Sequence, residues 1–279
     1  MATREYQGRK YTAMEIVDTL DYLTVEEALK IKVNDVVFTI TMRSPGDDQE
    51  LIRGLLHNEG VLKSKTYSPE IVFSKDKSNV QETIANVIVN ESELNKEHTN
   101  SRSLLSVSSC GICGKTELEE LNTNDFIPMD NELVDAEIIS GLFDKMNTFQ
   151  KSFHQSGGTH AAAAFTNKGE LICSFEDIGR HNAVDKVVGD LLLKKEIKKA
   201  KCLTVSGRIS YEIIIKCFKA RIPIIAAVSA PSSLAVDFAK ELGISLFAFC
   251  REERLTCYSH PERVLNWNKE NNMTSEVNV

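Results

Sequence analysis

The spacing of hydrophobic residues changes along the chain and predicts two parts with different architectures. After Gln155, short apolar runs of strand type alternate with longer runs of helical spacing. The helical runs are GRHNAVDKVVGDLLLKK, ISYEIIIKCFKA and SSLAVDFAKELG. The predicted strands are Thr159–Phe165, Leu171–Phe175, Leu203–Val205, Ile224–Val228 and Leu246–Phe249. Strands that alternate with helices indicate an α/β domain with a mostly covered sheet.

Before residue 100 the pattern predicts a smaller α+β unit. β-branched residues dominate IKVNDVVFTITM, which predicts one strand over Ile31–Met42. The stretch SPGDDQELIRGLLHNEG supplies acidic residues for a helix start and Gly60 for the helix end. A second pair of strands is expected at Glu70–Phe73 and Glu82–Val89.

These patterns predict the domain boundaries. A small α+β domain spans residues 20–100, and an α/β domain spans residues 126–268 and opens with the helical pattern DAEIISGLFDKMNTFQKSF. Residues 101–125 lie between them and carry two cysteines, and residues 269–279 form a polar tail. The preceding ESELNKEHTNSRS is polar and without periodicity, so we expect the cysteine segment to be a mobile loop.

Composition and charge exclude several classes of protein. The net charge of −7 argues against a duplex nucleic-acid binder, which needs a basic surface to displace counterions. No apolar run is long enough to span a membrane, and the first ten residues lack the apolar core of a secretion signal, so we expect a cytoplasmic protein. Seven thinly spread cysteines do not suit a disulfide framework. Three of them lie in apolar runs and are expected to be buried: Cys173, Cys202 and Cys217.

Polar residues follow several predicted strands of the α/β domain. In open α/β sheets, ligands bind beyond the carboxyl ends of the strands, where strand-to-helix turns present free backbone N–H groups. Several such turns and arginines should therefore converge on one edge of the sheet and form a site for an anionic ligand. The candidate residues are Gly157, Gly158, His160, Arg180, His181, Ser206, Arg208, Arg251 and Arg254.

Cys110 and Cys113 form a C-x-x-C pair in SVSSCGICGKTELEE. A structural zinc site usually needs two such pairs, and only one is present, so no structural metal is predicted. A dithiol switch would place the pair at a helix start, whereas glycines and serines surround it here. A third hypothesis is a carrier thiol, which accepts sulfur from a donor persulfide and passes it to an acceptor. The spacing alone leaves all three open.

Several motifs together resemble the FdhD family of formate dehydrogenase accessory sulfurtransferases. They span about residues 30–265, and EDIGRHNAVDK and SGRISYE are too long to match by chance. The others are TMRSPGDDQELIRGLLHNEG, SSCGICG, SGGTHAAAAF, SAPSSLAVDFAKELGISLFAF and CYSHPERV.

The resemblance implies a sulfur carrier. Such a protein takes sulfur from a cysteine desulfurase through a cysteine persulfide and delivers it to molybdenum bis(molybdopterin guanine dinucleotide), which is then inserted into the catalytic subunit of formate dehydrogenase. Cys110 corresponds to the family's persulfide cysteine, and Cys113 to the supporting one. The family's cofactor-binding stretch corresponds to Phe249, Cys250, Arg251, Glu252, Glu253 and Arg254.

The resemblance also implies a fold. The family is similar to the cytidine deaminases, so the expected architecture is a three-layer cytidine-deaminase-like α/β domain with the smaller α+β domain at its N-terminal side. Deaminases place zinc with H-x-E and P-C-x-x-C motifs. Here the corresponding stretches read THAAA and SGRIS, which disfavours deaminase chemistry.

A function of another class stays open. The chain would then be a non-catalytic chaperone that binds the molybdenum cofactor and docks on formate dehydrogenase, and its cysteines would be incidental. We expect the apolar run YEIIIKCFKARIPIIAAV to form core, and an interface in a homodimer is the alternative.

Overall fold

The N-terminal part of the chain forms a hairpin, a four-stranded sheet and one helix. A computed structural model describes residues 2–75, 82–95, 133–251 and 254–265. Cys110, Cys113, Glu252 and Glu253 lie outside these described residues. The N-terminal elements are β1 (Thr3–Tyr11), β2 (Ile16–Thr24), β3 (Glu27–Val33), β4 (Val36–Arg43), α1 (Asp48–Asn58), β5 (Glu70–Lys75) and β6 (Glu82–Ile88).

The hairpin of β1 and β2 has no counterpart in the sequence-based prediction. Its two strands pair antiparallel, and most of their side chains are exposed. Hydrogen bonds hold its base to the helix Lys151–Ser156: Thr3 Oγ1 donates to Gln155 Oε1 at 2.6 Å, and Thr24 Oγ1 lies 2.8 Å from Ser156 Oγ. The open end of the hairpin therefore contacts a helix from the second half of the chain.

The predicted single strand Ile31–Met42 is wrong, because the chain turns back in the middle of it. Asn34 and Asp35 have φ of 48° and 67°, and they connect the antiparallel pair β3 and β4. Short polar residues tolerate this left-handed conformation in a tight hairpin turn. The four-stranded sheet has the order β4-β3-β6-β5, and the predicted helix and second strand pair are confirmed.

The second half of the chain builds a larger sheet with helices. The predicted helical pattern DAEIISGLFDKMNTFQKSF forms two helices, because the chain leaves the helical path over Thr148–Gln150. The elements are β7 (Val134–Asp135), α2 (Ala136–Asn147), α3 (Lys151–Ser156), β8 (His160–Phe165), β9 (Leu171–Asp177), α4 (Arg180–Leu193), β10 (Cys202–Val205), α5 (Tyr211–Lys219), β11 (Ile224–Ala227), α6 (Ser233–Glu241), β12 (Ser245–Arg251), β13 (Arg254–Ser259) and β14 (Val264–Leu265).

The large sheet has six strands in the order β13-β12-β11-β10-β8-β9. The strands β10, β11 and β12 are parallel, whereas β8 runs antiparallel to β10, and β9 antiparallel to β8. The carboxyl ends of β9, β10, β11 and β12 therefore lie at one edge, together with the amino ends of β8 and β13. We call this edge the rim. The five strands predicted for this domain are all confirmed, and β13 was not predicted.

Helices cover both faces of the large sheet. One core cluster packs α4, α5 and α6 against the sheet, and the apolar stretch around Ile213, Ile214 and Ile222 belongs to it. A second cluster packs α2 against the opposite face through Ile139, Leu142 and Met146. The apolar run of α5 and β11 is thus core, as predicted. The mixed α/β class is confirmed, whereas the cytidine-deaminase-like architecture and the domain boundaries stay predictions.

Two glycines let α1 pack directly against α4. A Cβ at Gly54 would overlap the backbone oxygen of Asp185, and a Cβ at Gly189 would overlap the backbone oxygen of Glu50. The helix backbones therefore meet without side chains between them, and this contact joins the small sheet unit to the large one.

The replacement of Gly54 by Ala is expected to destabilise the protein by about 3 kcal/mol or more, because rigid backbone opposes the new methyl group. Chemical denaturation measures this loss. Gly141→Ala is the control, since the Cβ there meets nothing within 4 Å inside α2. That substitution should stabilise the helix by about 0.5–1 kcal/mol. Equal effects of the two substitutions would contradict the helix contact.

Candidate functional site

His160, Arg180 and Arg208 meet at the rim. His160 opens β8 and pairs in register with Asp177, the last residue of β9, while Arg180 opens α4 and Arg208 follows β10. A Cβ at Gly207 would lie 3.1 Å from His160 Nδ1 and 3.5 Å from Arg180 Cβ. Glycine at this turn therefore leaves room for the imidazole and the arginine to pack together.

Burial and the surrounding charges favour the neutral form of the His160 ring. Burial lowers the pKa of the imidazole, and the charges of Arg180, His181 and Arg208 lower it further, while Asp177 acts in the opposite direction. A neutral imidazole can both donate and accept a hydrogen bond. This part of the rim therefore combines two permanent cations with one neutral polar ring.

His181 is bound to the first turn of α5. Its Nε2 lies 3.0 Å from Ser210 Oγ and 2.8 Å from Glu212 Oε2. Burial acts to raise the pKa of the Glu212 carboxyl, but the hydrogen bond from His181 and the charges of His181, Lys216 and Arg180 together outweigh it, so the pKa is lowered. His181 thus connects the turn after β9 to the turn after β10.

Several predicted residues have structural roles at the rim. The Ala161 N–H donates to Ser206 Oγ at 2.9 Å, and the Ser206 N–H donates back to Ala161 O, so Ser206 anchors the end of β10. Gly157 has a φ of 68° and ends α3. A Cβ at Gly158 would lie 2.6 Å from Thr24 Oγ1, so this glycine lets the hairpin approach. Local packing explains these three residues.

The carboxylates of EDIGRHN are likewise engaged in structure. Glu176 accepts the N–H groups of Ser152 and Phe153 at 2.8 and 2.7 Å, and its carboxylate thereby caps α3. Asp177 is fully buried and pairs with Lys186 at 2.9 Å. Both carboxylates therefore have structural partners away from the exposed part of the rim.

The stretch Phe249–Arg251 lies at the end of β12, two strands from β10. The spacing between neighbouring strands puts the carboxyl ends of β12 and β10 about 10 Å apart. Phe249 has a φ of 54° within a register shift between β12 and β13, and its N–H donates to Ser229 O at 3.2 Å. The Phe249 side chain is 38% exposed, whereas Cys250 points into the core. Of the predicted cofactor stretch, Phe249, Arg251 and Arg254 are exposed at the rim.

One atom of the rim lacks a hydrogen-bond acceptor. Arg180 Nε is buried and donates to no group of the described residues. The arrangement as a whole offers guanidinium groups from Arg180, Arg208, Arg251 and Arg254 along one sheet edge. Guanidinium groups bind phosphate through paired hydrogen bonds, so the rim suits an elongated anionic ligand with phosphate groups.

Three rim residues were not among the predicted site residues: Gly207, Ser210 and Glu212. All three belong to SGRISYE, whose length and unusual composition already marked it as informative. The signal in the sequence was the pair of polar residues Ser210 and Glu212, which flank the first residue of α5. What the sequence could not show is that His181, on another helix, lies between them.

A cavity of about 230 Å³ lies beside the outer edge of β9. Ser44, Ser152, Ser174, Glu176 and Lys186 line it among others, and none of the predicted site residues does. Its two charged groups near β9 are already engaged, with α3 and with Asp177. The cavity therefore adds nothing to the rim site.

The described residues contain neither a metal-binding group of side chains nor a membrane-spanning helix. Within them, no group of three or more His, Cys, Asp or Glu side chains is placed to hold a metal ion. Nor does any helix in that part of the chain have the length and apolar character needed to cross a membrane.

The five described cysteines are poor nucleophiles. Cys173, Cys202, Cys217 and Cys250 are buried, as was predicted for the first three, and Cys257 is half-buried. Burial raises the pKa of all five thiols, that of Cys250 to about 12. Because the thiolate is the nucleophile, these side chains react slowly at neutral pH, and burial also protects the first four from reagents.

Alkylation of the native protein tests this burial. Iodoacetamide at neutral pH is expected to leave Cys173, Cys202, Cys217 and Cys250 unmodified, because each thiol is buried and protonated. The intact mass should then show at most three modified cysteines of seven, since four are buried. Modification of any of these four at the rate seen in denatured protein would contradict the core packing.

Comparisons with known proteins give consistent matches. The model of the FdhD/NarQ family matches residues 24–265. A protein of Saccharolobus solfataricus named Sulfur carrier protein FdhD is 43% identical over 251 residues, which cover 88% of this chain and 91% of that protein. The protein of the same name from Streptomyces coelicolor is 40% identical over 252 residues, covering 88% and 89%.

A solved structure has the same fold. It is the crystal structure of a chain from Desulfotalea psychrophila described as a formate dehydrogenase accessory protein, with a TM-score of 0.75 and 24% identity. The match covers 95% of this chain and 100% of that one.

Proposed function

The chain belongs to the FdhD/NarQ family, and from this premise we propose that it is a sulfur carrier that serves formate dehydrogenase. A cysteine desulfurase supplies the sulfur, and Cys110 receives it as a persulfide. The acceptor is molybdenum bis(molybdopterin guanine dinucleotide), which is bound at the rim as a substrate. The sulfurated cofactor is then inserted into the catalytic subunit of formate dehydrogenase.

The transfer is a sequence of thiol exchanges. The Cys110 thiolate attacks the outer sulfur of the desulfurase persulfide, so Cys110 carries the S–SH group and the desulfurase cysteine leaves as a thiolate. The Cys113 thiolate then attacks the inner sulfur of Cys110, which forms a Cys110–Cys113 disulfide and releases hydrosulfide to the cofactor. A thiol reductant returns the disulfide to two thiols.

The observation that carries this proposal is the positive rim. His160, Arg180 and Arg208 lie together at the ends of β8, β9 and β10, and Phe249 and Arg251 follow about 10 Å away. A ligand with diphosphate groups and flat heterocycles needs guanidinium partners and an exposed aromatic ring. The free Nε of Arg180 fits the same ligand class.

The described cysteines support the assignment to Cys110 and Cys113. The chain has seven cysteines, and the five in the described residues all have raised pKa values. A carrier thiol must ionise near neutral pH. The proposal therefore assigns the carrier role to the C-x-x-C pair, with Cys110 as the first acceptor.

Nucleotide binding tests the rim. Arg208→Ala is expected to weaken binding of guanosine diphosphate by about 1.5–3 kcal/mol, roughly 10- to 150-fold, because a charge-assisted phosphate contact is lost. Isothermal titration calorimetry measures the affinity. Lys168→Ala is the control, since Lys168 is exposed in the turn between β8 and β9, at the edge opposite the rim. Unchanged affinity in Arg208→Ala would reject the phosphate contact.

Mass spectrometry tests the cysteine roles. After incubation with a cysteine desulfurase and cysteine, the protein should gain one sulfur atom on Cys110. Cys110→Ala is expected to abolish this gain, whereas Cys113→Ala should retain the persulfide, because the attack that releases it is blocked. Loss of the persulfide in Cys113→Ala but not in Cys110→Ala would reverse the assigned roles.

A further inference from the structure

Five basic side chains lie together at the edge of the large sheet opposite the rim. α5 leads from the carboxyl end of β10 to the amino end of β11, so its last residue lies at that opposite edge. The end of α1 lies beside it, because His57 Nε2 is 3.2 Å from Lys219 O. We call the group the basic cluster: Arg53, His57, Lys65, Lys219 and Arg221.

Neutral backbone oxygens hold most of the basic cluster in place. Arg53 Nη2 donates to Lys65 O at 2.7 Å, and Lys65 Nζ donates to Lys219 O at 3.2 Å. Lys219 Nζ donates to Asn58 O at 2.5 Å. Cations commonly bind the free carbonyl groups at the ends of helices, so the ends of α1 and α5 account for Lys219, Lys65 and His57.

Arg53 is not accounted for in this way. Its side chain is 2% exposed, and its Nη1 is buried without a hydrogen-bond acceptor in the part of the chain that the structure describes. Burial lowers the pKa of the guanidinium only to about 10, so it stays charged at neutral pH. A buried charge is costly unless a counter-charge and hydrogen bonds compensate it. Among the described residues, Arg53 thus has no carboxylate partner of the kind that buried arginines normally have.

The neighbouring groups increase this deficit. Burial and the charges of Lys65, Arg53 and Lys219 lower the pKa of His57 to about 4. Burial and the charge of Arg221 likewise lower the pKa of Lys65. Of the nearby carboxylates, Asp185 pairs with Lys216 at 2.6 Å, and the charge of Glu59 acts on the same lysine. Positive charge therefore accumulates here in a chain whose net charge is −7.

We propose that the basic cluster binds a small oxyanion of the phosphate type. Such an ion carries several negative charges and accepts hydrogen bonds on every oxygen, so it can bridge the guanidinium groups of Arg53 and Arg221 and an ammonium group at once. Lys65 and Arg221 are exposed, and the ion reaches the buried residues Arg53 and His57 between their flexible side chains. This site is separate from the rim and does not depend on the sulfur-carrier proposal.

The phosphate group can come from a free ion or from a larger molecule. Titration of the full chain with inorganic phosphate and, separately, with guanosine diphosphate distinguishes the two sources. Free phosphate should bind with unit stoichiometry and should compete with no ligand of the rim, so Arg208→Ala should leave its affinity unchanged. Binding of guanosine diphosphate alone, weakened by substitutions in the cluster, would identify a terminal phosphate of a larger ligand.

Substitutions connect the binding to the cluster. Arg53→Met and Arg221→Ala are both expected to weaken phosphate binding by about tenfold or more, because each removes a charge-assisted contact. Arg221 is exposed, so its variant remains informative if Arg53→Met does not fold. Lys168→Met is the matched control and should bind phosphate like the unchanged protein.

The ring of His57 gives an independent readout. A bound anion favours the protonated imidazole, so saturating phosphate should raise the pKa of His57 by about one unit or more in NMR titrations. Unchanged affinity in both Arg53→Met and Arg221→Ala would overturn the proposal. The proposal would also be overturned if neither phosphate nor guanosine diphosphate bound at the cluster and the pKa of His57 did not change.

Discussion

The buried ion pair of Asp177 and Lys186 is the interaction on which the rim depends. Both side chains are almost fully buried, 2.9 Å apart. The carboxylate also accepts the N–H groups of Gly179 at 2.8 Å and of Ser44 at 3.2 Å. One aspartate thereby ends β9, shapes the turn that presents Arg180 and His181, and attaches the loop after β4. Such a pair is costly to break, because the remaining charge stays buried.

Much of the rim could be predicted from the sequence because it consists of local signals at strand ends. Each strand-to-helix turn has its own polar residues, and the direction of parallel strands brings the turns to one edge. The sequence did not show that Gly157, Gly158 and Glu176 serve the ends of α3 and the contact with the hairpin. A turn glycine or a carboxylate looks alike in a sequence whether it contacts a ligand or a neighbouring helix.

Other features depend on contacts between distant segments, which a sequence pattern does not contain. The hairpin of β1 and β2 lacks a buried face, so its strands have no clear alternation. The turn at Asn34 and Asp35 interrupts a run of strand-forming residues without a glycine or proline to mark it. In the sequence, Gly54 and Gly189 are simply residues of low helix propensity within two helices. Only the close contact between those helices explains why glycine is needed there.

The central claim is that sulfur passes through Cys110 and Cys113 to a cofactor bound at the rim. A chaperone that only holds the cofactor would use the same rim without needing either thiol. Formate dehydrogenase activity in cells whose only copy carries Cys110→Ala and Cys113→Ala separates these two functions most directly. The account expects that activity to be lost while the purified variant still binds guanosine diphosphate. Full dehydrogenase activity in those cells would contradict it.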